Sequence, residues 1–331
     1  MAKTKIEKET FEEKLEKLEQ KYGFGTTNVK DLVITSTGSI QLNQAMHIGG
    51  TALGKIIEIY GPESSGKSTI ALHQIAEYQK AFPDKLVVLM DYEFSYSPDY
   101  AKAIGVDINK LKHYNPTTQE EGYNMILELI QKKLVSCIVV DSQSAAPPKA
   151  ILDGEMGDST IGLQARNNSK FCMKVKGLLS INNTTLFLVS QTRNVIGNMG
   201  GDPLTTTGGE AIKFYSDVRW KVWKLNDKEN ELSKTTVDVV KSKVSKPFGQ
   251  AKFSILWGYG IDKLAEIVDY AEDFKIIVKN GSWYAYGDMK LGQGMNGIRT
   301  ILEDNPELLE EITNKVMNKL FAEKIVLSIE D

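Results

Sequence analysis

The octet Gly61-Pro62-Glu63-Ser64-Ser65-Gly66-Lys67-Ser68 constrains the fold of this 331-residue chain more than any other feature. Two glycines separated by four residues and followed by Lys and a hydroxyl residue make a loop whose backbone N–H groups can surround phosphate oxygens. Such a loop works between a buried strand and a helix N-terminus, where N–H groups and helix dipole converge on one point. The apolar run KIIEIY (55–60) stands directly before it, and a helical pattern over 68–82 directly after it. The chain is therefore expected to run strand, loop, helix here. Lys67 would reach the β- and γ-phosphates of a nucleoside triphosphate, Ser68 would ligate Mg²⁺, and Thr69 would continue the helix beside them.

The surrounding text supplies the sheet such a loop needs. KLVVLMDYE (85–93), LVSCIVVDS (134–142) and TTLFLVSQ (184–191) are bounded strands, with helical patterns near 118–133 and 163–181. Strands alternating with helices predict a mostly parallel sheet buried on both faces. VRWKVWKL (218–225), TTVDVVKSKV (235–244) and QAKFSILWGYG (250–260) follow without helices between them, so the sheet should end in antiparallel hairpins. At its strand end Asp141, followed by Ser142, can hold the water shell of Mg²⁺. Glu93 can activate or orient water at the γ-phosphate, but Asp91 competes with it: alternation points both the same way. Tyr100 offers an aromatic face to a purine, or to the core.

Composition excludes other classes. Apolar residues make up 41% and charged residues 25%, so wholesale disorder is ruled out. The net charge of −3 argues against coating nucleic acid by bulk charge alone. Two cysteines, Cys137 and Cys172, cannot make a four-thiolate metal site and suit a reducing cytoplasm. No apolar run reaches the roughly 18 residues of a membrane helix, so no membrane association is expected. Near the start, Phe11, Leu15, Leu18 and Tyr22 lie on one helical face, ahead of a Gly/Thr linker. Such a helix can cap its own domain or dock on a neighbouring subunit. From about 263 the chain returns to helices around GQGMNG (292–297), as in a small α+β domain.

Together, EIYGPESSGKST (58–69), IVVDS (138–142), GEMGDSTIGLQAR (154–166), TTTGGEAIKFYSDVR (205–219) and NGSWYAYGDMKLGQGMN (280–296) resemble the bacterial RecA recombinase family. The likeness runs collinearly to roughly residue 320, and the lysine-rich composition and short tail are similar to a bacteriophage-encoded member. The resemblance implies a RecA-type phosphate-loop ATPase core with a mostly parallel central sheet. It places an oligomerisation helix and linker in 1–35, the core with its DNA-binding loops in 36–262, and the small α+β domain in 263–331. It implies a cytoplasmic DNA-dependent ATPase that forms a homo-oligomeric helical filament on single-stranded DNA and exchanges strands with homologous double-stranded DNA. ATP and Mg²⁺ would be held between subunits. By position, Glu93 activates water, Tyr100 stacks on adenine, Gln191 senses the γ-phosphate, and Lys241 and Lys243 reach the neighbour's nucleotide.

DNA contacts would fall in two glycine-rich loops. The first, about 153–162, contains Gly154, Glu155, Met156, Gly157 and Ile161; the second, about 192–209, contains Arg193, Ile196, Gly197, Met199, Gly200, Thr207, Gly208 and Gly209. Arg166 and Lys213 add charge nearby, and Ile161 or Ile196 can wedge between bases. Three positions and the tail depart from the family pattern: Gly200 stands where a Phe is usual, Trp257 replaces a Tyr, Ser68 replaces a Thr, and the acidic extension of many members is reduced to the ending SIED. Two other readings stay open: a ring-forming helicase on the same core, and a nucleotide-gated DNA scaffold that hydrolyses little.

Overall fold

The computed structural model describes residues 10–22, 32–155, 162–194, 204–224 and 232–327. The chain divides into two compact units, residues 1–33 and 34–331. In the first, helix α1 (Phe11–Tyr22) starts with a capping box: the Glu13 N–H donates to Thr10 Oγ1 at 3.3 Å, and the Thr10 N–H to Glu13 Oε2 at 2.9 Å. Its apolar stripe of Phe11, Leu15 and Leu18 is exposed.

The second unit opens with β1 (Ile34–Thr35), α2 (Ile40–Ala45) and β2 (Thr51–Ala52). Strand β3 (Ile56–Gly61) then feeds the glycine loop into α3 (Lys67–Ala81). Next come β4 (Leu86–Asp91), α4 (Pro98–Ile104), β5 (Leu111–Tyr114), α5 (Gln119–Gln131) and β6 (Val135–Asp141). After α6 (Lys149–Asp153) and α7 (Leu163–Asn182), β7 (Thr185–Asn194) pairs antiparallel with β8 (Leu204–Thr206), so these two strands form the stem of the second loop. Helix α8 (Ala211–Tyr215) leads to β9 (Val218–Lys224), β10 (Leu232–Ser242), β11 (Gln250–Leu256) and β12 (Gly260–Ile261). The remainder is α9 (Lys263–Asp273), a hairpin sheet of β13 (Val278–Asn280), β14 (Trp283–Tyr286) and β15 (Met289–Gln293), then α10 (Gly294–Asp304) and α11 (Pro306–Leu327).

The main sheet has the order β12-β11-β10-β9-β3-β7-β6-β4-β5. From β9 to β5 every pairing is parallel, and β10 to β12 add an antiparallel margin, as the strand and helix pattern predicts. Each parallel strand sends alternate residues to opposite layers. Ile57, Ile59, Leu89, Val139 and Val189 face a core completed by Ile70, Ile75 and Tyr78 of α3. Ile56, Val88, Val140 and Leu188 face Ile126, Phe171 and Val175 of α5 and α7. Burial on both faces explains why these strands read as unbroken apolar runs. Sequence patterning did not reveal α4 or the edge strand β5, whose LKHY is half polar. A separate cluster, with Val268, Tyr284, Leu291, Ile298 and Val316, forms around α9, the hairpin sheet, α10 and α11. Among the described residues no helix is long and apolar enough to cross a membrane.

Candidate active site

At the carboxyl ends of β3, β4, β6 and β7 lies a cleft of about 550 Å³, within the size range of small-molecule sites. Its floor is the glycine loop. Gly61 must be glycine because a Cβ there would stand 2.0 Å from the Val222 carbonyl oxygen of β9. Gly66, at φ 97°, is the N-cap of α3, so Lys67 and Ser68 occupy the helix's first turn, where N–H groups lack internal partners. The Lys67 ammonium is buried and donates to the Pro62 carbonyl at 2.6 Å. Burial lowers its pKa, while the charges of Asp141, Glu93 and Glu63 pull it back up.

Asp141, the last residue of β6, is buried beside the loop, and its Oδ1 has no hydrogen-bond partner among the described residues. Burial raises its carboxyl to about 6; the nearby Ser68 hydroxyl and the Lys67 charge oppose that rise, and the charges of Glu93 and Asp91 add to it. A buried carboxylate oxygen without a donor, next to the first hydroxyl of the helix, has the chemistry of a hard-cation ligand. Ser65 Oγ, in the loop itself, is likewise buried without a partner among the described residues.

Asp91 and Glu93, equivalent by alternation, have different surroundings. Strand β4 ends at Asp91, and the chain turns through Phe94 at φ 54°. Asp91 is buried under that turn, accepting the N–H groups of Glu93 at 3.0 Å and Tyr96 at 3.1 Å. Glu93 reaches the cleft, where its Oε1 accepts from Ser142 Oγ at 2.5 Å and Gln191 Nε2 at 2.7 Å. Among the described residues no protein donor contacts Oε2. Ser142 itself is fully buried outside the cleft lining and fixes Glu93.

One wall carries Tyr100, whose hydroxyl pairs with Thr69 Oγ1 at 2.8 Å and whose ring is partly buried. The lining is completed by Ser233 of β10, Ile255 of β11, and Trp257 and Gly258 beyond it. Ser233, Ile255 and Gly258 carry no motif; only the pairing of the antiparallel margin beside β3 brings them here. Trp257 is 66% exposed, with Lys224 Nζ 5.6 Å from its ring centroid. Lys241 and Lys243 lie outside this chain's own cleft. Lys241 Nζ donates to the carbonyls of Lys213 and Phe214 at 2.8 and 2.9 Å, and partial burial, then Lys243 and Arg219, lower its pKa.

Of the expected DNA contacts, Gly154 caps α6 and Glu155 follows it, both exposed. Arg166 is exposed in the first turn of α7, and Arg193 on β7 beside Thr205 of β8. Thr207 donates its N–H to the Gln191 carbonyl at 3.3 Å, Gly208 and Gly209 lie close to α7, and Lys213 pairs with Glu210 at 3.1 Å. Met156, Gly157, Ile161, Ile196, Gly197, Met199 and Gly200 lie outside the described residues.

Two family models divide the chain: the RecA N-terminal domain matches residues 3–262 and the RecA C-terminal domain residues 265–321. The chain belongs to the RecA family. Protein RecA of Bacteroides thetaiotaomicron is 42% identical over 316 residues, covering 92% of this chain and 95% of the relative. Protein RecA of Clostridioides difficile is 43% identical over 314 residues, covering 92% and 90%, and that of Clostridium novyi 44% over 299 residues, covering 89% and 85%. As a RecA-family protein it is an ATP-dependent recombinase, a DNA-dependent ATPase that pairs homologous DNA and exchanges strands.

Proposed function

We propose that the cleft binds ATP with Mg²⁺ at the boundary between subunits of a cytoplasmic filament on single-stranded DNA, and that Glu93 takes the proton from the attacking water. The observation that carries this reading is the Glu93 carboxylate, aimed into the cleft with Oε1 occupied by Ser142 and Gln191 and Oε2 left to accept from water. The glycine loop and Lys67 bind the β- and γ-phosphates, and Tyr100 covers the adenine. Ser68 and the unpartnered oxygen of Asp141 fit a magnesium ion. Bound there, Mg²⁺ would neutralise charge on the phosphate oxygens. Gln191, bonded to Glu93 and placed at the head of the second loop's stem, senses the γ-phosphate. Lys241 and Lys243, being outside their own chain's cleft, act on the neighbour's nucleotide. The exposed Arg166, Arg193 and Lys213 supply charge to phosphates of the bound strand, and the second DNA is a homologous duplex. In this organisation residues 1–35 link subunits, 36–262 form the motor and 263–331 an accessory domain.

The test is strand exchange between a circular single strand and its homologous linear duplex, with ATP or a slowly hydrolysed analogue, alongside phosphate release with and without single-stranded DNA. Joint molecules and DNA-stimulated release are expected. Closed rings by electron microscopy, without joint molecules, would overturn the filament reading; filaments with no DNA-stimulated release would leave a scaffold.

A further inference from the structure

Where the stem of the second loop meets α7, two side-chain amides are fully buried: Gln143, just beyond β6, and Asn168 on α7. We propose that they are positioning residues that clamp the return limb of that loop, Thr207–Gly208, to Gln191, so that DNA seated in the loop sets the pose of Glu93. The inference rests on the reading of cleft and loops given above.

The hydrogen bonds run without a gap. The Gln143 N–H donates to the Val189 carbonyl at 3.0 Å, which seats the residue against β7. Its Nε2 lies 3.1 Å from the Thr207 carbonyl oxygen, 3.2 Å from Ser190 Oγ and 3.3 Å from Ser144 Oγ. Ser144 Oγ accepts the Gln191 N–H at 2.9 Å, and the Gln191 carbonyl accepts the Thr207 N–H at 3.3 Å. Gln191 is therefore gripped at both its N–H and its C=O, by two residues that Gln143 joins, while its side chain holds Glu93.

Asn168 fixes the other end. Its Nδ2 donates to the Gly208 carbonyl at 2.8 Å and to Gln143 Oε1 at 3.2 Å. Its Oδ1 accepts from Gln119 Nε2 and from Tyr123 Oη, each at 2.7 Å, and Tyr123 stacks on Phe171 of α7 at 3.8 Å. One side of the amide thus belongs to the packed helices and the other to the loop. A Cβ at residue 208 would stand 2.5 Å from Asn168 Nδ2 and 3.1 Å from Gln143 Oε1, so only glycine permits this approach.

Displacing the return limb would remove the carbonyls of Thr207 and Gly208 from two buried donors and the Thr207 N–H from Gln191. Buried polar groups do not tolerate half-made networks, so the limb has two favoured states, seated or released, instead of a continuum. A ligand that prefers one state in the loop then shifts the state at the cleft, and the effect must be reciprocal.

The experiment uses the full chain and measures the factor by which a slowly hydrolysed ATP analogue tightens a fluorescent single-stranded oligonucleotide, and the reverse. Variants are Asn168→Leu, Gln143→Leu and the pair together. The affinity for each ligand alone and the DNA-independent hydrolysis rate should stay within about twofold of the parent. The coupling factor should fall at least tenfold, about 1.4 kcal/mol, and the double variant should fall no further than the single ones. An unchanged factor in folded Asn168→Leu, or losses that multiply in the double variant, would overturn the clamp. If the leucine variants do not fold, Asn168→Asp and Gln143→Glu keep shape, remove the donated bonds and are read by the same criteria. Glu93→Gln is the separate control: parental hydrolysis in that variant would strike the reading of the cleft, while the coupling factor would still decide the clamp.

Discussion

Asp91 and Glu93 show how two carboxylates of equal parity take different work. Asp91 is spent on two backbone N–H groups, and Glu93, past the end of β4, faces the cleft. Glu93→Gln is therefore expected to lower DNA-stimulated kcat by roughly 10²–10⁴, the usual worth of a general base, with ATP and DNA affinities nearly parental. A phosphate-release assay beside calorimetry checks this; parental turnover would remove Glu93 from the role. Asp141 gives the pH dependence. Its carboxyl is raised to about 6 by burial, and a cation needs it ionised, so Mg²⁺-dependent ATP affinity should weaken as pH falls through 6. Titrating ATP with and without Mg²⁺ from pH 7.5 to 5.5 tests it; a Mg²⁺ effect independent of pH would count against Asp141 as ligand. The octet was legible because its chemistry is local. The choice between Asp91 and Glu93 was not, because alternation holds only while the strand continues, and the turn at Phe94 ends it.

Among the elements, β10 has two duties. Its Ser233 end lines the cleft of its own chain, and its Lys241 end rests on the carbonyls that close α8. A strand of this length cannot bring Lys241 back to its own nucleotide, which motivates action in trans. Lys241→Ala should leave ATP binding by the isolated subunit unchanged and cut DNA-stimulated hydrolysis about tenfold or more. Mixing it with Glu93→Gln subunits should restore activity at interfaces that combine an intact Glu93 with an intact Lys241. Filaments shown to be mixed, yet inactive at every ratio, would place the lysines in cis. Unbroken apolar runs made the central strands readable from sequence. The half-polar β5 and one-turn helices such as α8 lacked that signal, and the clamp of Gln143 and Asn168 had none, since it exists only once α7 packs beside β6.

At the scale of the whole molecule, Glu266 ties α9 to α2. Its buried carboxylate accepts the Ser39 hydroxyl and the N–H groups of Ile40 and Gln41, capping α2 from outside. Burial nevertheless raises its pKa to about 7, against the pull of those donors and of Lys263. A carboxyl whose folded pKa exceeds its unfolded value near 4.3 contributes stability at low pH that is lost as pH rises through 7. Thermal unfolding should therefore move down by roughly 2–4 °C between pH 6 and 8, and Glu266→Gln should flatten that slope; a parental slope in the variant would assign it elsewhere. The sheet order has a consequence for how the protein is made. Ile57 pairs with Phe187 on one side and Val218 on the other, and Val222 closes on Gly61. The phosphate loop thus leaves the ribosome early, but its walls are translated late. A nascent chain that has not reached Ile255 carries the whole octet but lacks the cleft wall that Ile255, Trp257 and Gly258 supply, so the complete cleft can close around a nucleotide only after most of the protein has been synthesised.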